Sequence, residues 1–175
     1  MSELRYYRRV DNLATWAIGK GQKGILSPEH TEKYLKDIKG GNGFPSLWLP
    51  SSPEDLEKIS LGMSLLRKKS IENVRLLGFN ECCFTNTGIE VKQVKDDNFP
   101  IPTVAHLHYE LCTLDDNKLI EAIKIFIQCN GVFEEFSKAK EDPNKSNMRQ
   151  IAAKYIDQVS EQYKQTTQEW GEKYL

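Results

Sequence analysis

FPSLWLPSSPEDLEKISLGMSLLRKKSIENVRLLGF, residues 44–79, decides the fold class. Phe44 to Leu49 is a short apolar run that leads through Pro50-Ser51-Ser52, and it reads as a buried strand. Ser52-Pro53-Glu54-Asp55 then opens a helix: an acceptor side chain at the N-cap, a proline where a missing N–H does no harm, and acids at the positive end of the dipole. Leu56, Ile59, Met63 and Leu66 follow on one helical face, which carries the helix to about Lys69. Val74 to Phe79 is again strand-like, so the stretch has a strand, helix, strand outline that suits a parallel crossover.

Toward the N-terminus, Leu4 to Val10 (LRYYRRV) is rich in aromatic and β-compatible residues and predicts a strand. Asp11 to Ile18 fits either a short helix or irregular structure. Gly19 to Gly24 (GKGQKG) predicts a loop, because three glycines in six residues give the chain no reason to hold one regular conformation. Ser27-Pro28-Glu29 repeats the helix-start device and predicts a helix to about Lys39, with Tyr34, Leu35 and Ile38 inward.

Toward the C-terminus, Ile89 to Val94 alternates as a half-exposed strand does, and the two prolines of Asp96 to Pro102 predict a loop. Val104 to Leu111 (VAHLHYEL) predicts a further strand. Leu119, Ile120, Ile123, Phe126 and Ile127 form a broad helical stripe, broken or kinked near Asn130-Gly131, with Val132, Phe133 and Phe136 extending the helix. Ser146 opens a final helix to about Trp170 whose stripe includes Met148, Ile151, Tyr155, Val159 and Tyr163. The expected fold is mixed α/β or α+β: a core of residues 1–142 with about five strands, and a C-terminal amphipathic helix, residues 143–175, packed on that core or docking a partner.

The chain has 24 Lys plus Arg against 25 Asp plus Glu, so its overall field does not draw it to nucleic acid or anionic lipid. A local basic patch at Arg5, Arg8, Arg9, Lys20 and Lys23 is the exception, and Arg8, Lys20 and Lys23 are the candidate phosphate contacts, although the Gly-Lys loop lacks the P-loop order. No apolar run is long enough to cross a membrane, and no apolar segment follows the charged first residues, so a cytoplasmic location is expected. Cys82, Cys83, Cys112 and Cys129 have no C-x-x-C spacing and are read as reduced, structural thiols rather than a zinc knuckle or disulfide framework.

The constellation that rises above background is His106, His108 and Glu110. On a strand, alternation puts these three on one face, with neighbours roughly 6.5–7 Å apart. Two imidazoles and a carboxylate so arranged suit general acid and base chemistry, and His106 with His108 suits a divalent metal. Cys112 shares that face as a thiol with no particular signature.

The order Arg8, then Ser51 or Ser52, then Glu110 or Glu81 is similar to that of mono-ADP-ribosyltransferases. The resemblance implies a dinucleotide-dependent transfer, with Arg8 on a phosphate, a serine shaping the pocket and a glutamate orienting the ribose. It covers three scattered residues and lacks that family's Glu-x-Glu or Gln-x-Glu, while helix capping already accounts for both serines.

Two functions follow as expectations. The first is a non-catalytic accessory, regulatory or inhibitor subunit that docks a protein partner through Tyr155, Val159, Tyr163 and Trp170. The alternative is a small metal-dependent or acid/base enzyme, a hydrolase or a dinucleotide-dependent transferase, using His106, His108 and Glu110.

Overall fold

The computed structural model describes residues 5–10, 32, 34, 45–67, 73–84, 87–112, 115–128, 132–137 and 146–172. The predicted loop at Gly19 to Gly24, with Lys20 and Lys23, lies outside them, as does most of the predicted helix after Ser27, of which Glu32 and Tyr34 are described and helical.

Among the described residues seven strands form one sheet: β1 (Arg5–Arg9), β2 (Ser46–Trp48), β3 (Val74–Asn80), β4 (Glu90–Gln93), β5 (His108–Cys112), β6 (Val132–Ser137) and β7 (Ser146–Asn147). Their spatial order is β4-β5-β2-β1-β3-β6-β7, antiparallel throughout except that the two-residue β7 runs parallel to β6. Since β1 is antiparallel to both β2 and β3, these two run the same way with β1 between them. The strand, helix, strand unit of residues 44–79 is therefore a parallel crossover that steps over one strand.

That crossover helix, α1 (Pro53–Arg67), starts as its sequence requires. Ser52 Oγ accepts from the Asp55 N–H at 3.1 Å, and Asp55 Oδ2 accepts from the Ser51 N–H at 3.1 Å, which satisfies amides that a helix start leaves open. Its burial is wider than one stripe. Ile59, Leu61, Met63 and Leu65 are all buried, whereas Leu66, placed inward by spacing, is exposed. The reason is that α1 is packed on several sides, by the sheet and by a C-terminal helix, α3 (Met148–Tyr155).

The two faces of the sheet carry separate cores. On one, α1 and α3 cover Trp48, Val74, Leu76 and Phe136. On the other, α2 (Asp116–Gln128) covers Tyr6, Leu47, Phe79 and Leu111 with Leu119, Ile123 and Phe126, and Tyr34 joins it there. Phe79, Phe84 and Phe126 meet edge to face at 5.0–6.0 Å between centroids, the arrangement ring quadrupoles favour. The result is a mixed α/β fold, as the sequence suggests, and its helices lie on both sides of the sheet.

Three sequence expectations need correction. Residues 102–107 are not extended: Pro102–Leu107 is a 3-10 helix, and the strand starts at His108. Adjacent Val104 and Ala105 both enter the same core, which a pleated strand, alternating its side chains, does not permit.

Val132–Ser137 is a strand and not a helical extension. Phe133 and Phe136 stand at helical spacing, but the apolar strand β3 presents an edge, and pairing Val74 with Phe136 and Leu77 with Phe133 satisfies it.

The single C-terminal helix is two. α3 ends at Tyr155, a short 3-10 turn follows at Ile156–Gln158, and α4 spans Glu161–Glu172. At the break Val159 is extended and buried, and Ser160 donates both its N–H (2.8 Å) and its hydroxyl (3.0 Å) to the Pro100 carbonyl.

Candidate functional site

Strand register builds one cleft on the face of the sheet that carries α1. Trp48 stands opposite His108 and Ser46 opposite Glu110 across the β2–β5 pair, so all four side chains share a face, and Arg9 of β1 joins them. Met63 and Leu66 of α1 form one wall. Residues 94–99, between β4 and the 3-10 helix, form the other, and together they enclose a cleft of about 430 Å³.

The second wall is a turn with its own internal bonds. Asp96 Oδ1 accepts from the Asn98 N–H at 3.1 Å and the Asp96 carbonyl from the Phe99 N–H at 3.0 Å, the self-bonding that makes aspartate a turn former. Phe99 then inserts between α1 and Trp48, its ring centroid 4.3 Å from that of Trp48.

His108 is 6% exposed and packs on Trp48, ring centroids 4.9 Å apart. Its Nδ1 lies 2.9 Å from the Val94 carbonyl. A carbonyl only accepts, so in the neutral ring Nδ1 carries the proton and Nε2 keeps the lone pair. The Val94 N–H in turn donates to the His108 carbonyl at 2.9 Å, so the ring is held at backbone and side chain together. Glu110, half-buried two residues along the same strand, makes no hydrogen bond or ion pair with a described residue through its carboxylate.

His106 is elsewhere. It is exposed on the 3-10 helix, so the expected face of His106, His108 and Glu110 is not assembled. The cause is the turn from Pro102, which ends the period-two alternation before His108. Among the described residues no group of three or more His, Cys, Asp or Glu stands as a candidate metal site.

Other candidate residues part company in the same way. Arg8 faces the opposite core, 7% exposed, with its guanidinium 5.7 Å from the Phe126 centroid. Ser51 and Ser52 are exposed; Ser52 Oγ caps α1, and Ser51 takes part only through its backbone N–H, which donates to Asp55. Arg8 and Glu110 therefore lie on opposite faces of the sheet and are not brought together, while the Glu81 side chain lies outside the described residues.

The proposed docking stripe is likewise taken up by the chain's own core. Tyr155 is 4% and Val159 2% exposed, and Tyr163 packs against the same cluster. The Trp170 side chain lies outside the described residues.

Cys83 is disulfide-bonded, with its partner outside the described residues, while Cys82 and Cys112 take no part in a disulfide. This corrects the expectation of four reduced thiols. Among the described residues no helix is long and apolar enough to cross a membrane.

Ser46 and the 94–99 wall are not singled out by sequence, and Arg9 is read there only as part of an N-terminal basic patch. They reach the cleft through pairing between distant segments, for which the sequence carries no local signal. No family model, no curated protein and no solved structure matches the chain.

Proposed function

We propose that the chain binds a small organic ligand in this cleft and moves a proton to or from it at His108 Nε2, with Glu110 orienting the ligand. The observation that carries this reading is the 2.9 Å bond from His108 Nδ1 to the Val94 carbonyl. A nearly buried imidazole locked in one tautomer, on the wall of a cleft, is the arrangement a general acid or base requires.

This is the acid/base alternative without its metal and without His106. It has more support than an accessory-subunit role, since the stripe that suggested docking is largely buried. The cytoplasmic setting expected from the sequence is tied to the state of Cys83, because disulfides belong mainly to oxidising compartments.

The test is a fragment screen followed by amide NMR. Hits are expected to shift amides of residues 94–99 and 108–110, to weaken in His108→Ala, and to bind His106→Ala as they bind wild type. A chemically diverse set in which no compound perturbs those amides would overturn the proposal.

A further inference from the structure

The groups around the cleft are unevenly engaged, and the imbalance specifies a ligand. Two large apolar side chains are exposed among the described residues, Leu66 at 46% and Val94 at 36%, and both lie on the cleft. Exposed apolar surface that borders a polar cleft marks where a ligand's apolar body rests.

The cations nearby are already occupied. Lys95 is ion-paired with Asp97. Arg9 Nη1 donates to the Met63 carbonyl at 2.7 Å, and Lys92, the cross-strand neighbour of Glu110, holds its Nζ 3.2 Å from Glu90. The Glu110 carboxylate has no such partner among the described residues, and Asp96 accepts through its side chain only from the backbone of Asn98. His108, with Nδ1 committed to Val94, adds a further acceptor at Nε2.

Beside the neutral Ser46 hydroxyl and Asn98 amide, the cleft's open charged groups are carboxylates, joined by the His108 Nε2 acceptor and bordered by apolar side chains, a set that favours a cation on a hydrophobic body. Resting on the ligand-cleft reading above, we infer that the occupant is a protonated organic amine. Its ammonium lies between Glu110 and His108 Nε2, and its aliphatic or aromatic part covers Leu66 and Val94.

Three probes of one shape and different charge test this: phenethylamine, phenethyl alcohol and phenylacetate, titrated into the full chain at neutral pH and followed by amide NMR. The amine is expected to bind about tenfold or more tightly than either of the others, as a charge-assisted hydrogen bond implies. Glu110→Gln removes that advantage, and Leu66→Ser weakens amine and alcohol together.

Phenethyl alcohol or phenylacetate shifting the same amides as tightly as the amine would overturn the amine inference while leaving a ligand cleft in place. Silence from all three would also overturn it, and the ligand-cleft reading would then stand or fall on the wider fragment set.

Discussion

Val94 brackets His108: its N–H donates to the His108 carbonyl and its carbonyl accepts from His108 Nδ1, each at 2.9 Å. The bracket ties the start of β5 to the segment that walls the cleft. Removing the ring strands the Val94 carbonyl and leaves a space beside Trp48. His108→Ala is therefore expected to destabilise the protein by roughly 2 kcal/mol in chemical denaturation, whereas exposed His106→Ala stays within about 0.5 kcal/mol of wild type. Equal effects of the two would contradict this geometry.

Gly62 is the point at which the Phe99 ring meets α1. A Cβ there would stand 2.2 Å from Phe99 Cζ, so the ring must move. Gly62→Ala is expected to cost about 1–3 kcal/mol and to broaden the amide signals of residues 94–99. In a Phe99→Ala background the clash is gone, and the same change is expected to stabilise by up to about 1 kcal/mol, the helix preference of alanine over glycine. A double-mutant cycle reads the reversal of sign, and its absence would mean that Phe99 does not sit against Gly62.

A second tie holds α1 to α3. Glu57 Oε2 accepts from the Tyr155 hydroxyl at 2.8 Å and from Lys154 Nζ at 3.0 Å. Burial raises the Glu57 pKa, but the bonds from Lys154 and Tyr155, with the Lys154 charge, outweigh it and leave the carboxyl below its ordinary 4.5. A carboxylate whose folded pKa is lowered contributes stability that is complete above its unfolded pKa and is lost as pH falls through the folded one. Glu57→Gln is expected to be less stable than wild type at pH 6, by no more than about 1 kcal/mol given its exposure. The difference should shrink towards pH 3, and a gap that does not change with pH would argue against the tie.

The thiols give an independent check. Alkylation without reductant, followed by fragment mass spectrometry, should modify Cys82 and Cys112 and spare Cys83, which becomes reactive only after reduction. Labelling of Cys83 in protein purified from its native source without reductant would restore the reduced reading and support a cytoplasmic setting.

Local chemistry was legible where it is decided locally. Ser52 and Pro53 announce α1, and the Asp96 turn follows from its aspartate and the nearby prolines. Where long-range pairing decides, the sequence misleads. Phe133 and Phe136 read as a helical stripe until the edge of β3 is known, and Val104 to Leu107 reads as strand because alternation cannot see two adjacent side chains entering one core. The site follows the same division. His108 and Glu110 were readable as a pair on a strand, but Arg9 and Ser46 join them only through the register of β1, β2 and β5.

The most direct measurement is the tautomer of His108, read from long-range ¹H–¹⁵N correlations of the neutral imidazole. Nδ1 protonated and Nε2 bearing the lone pair, with the Nε2 signal moving when an amine probe binds, is the expected result. A proton resident on Nε2 would contradict it, since Val94 would then not hold the ring and the cleft would lose its acceptor.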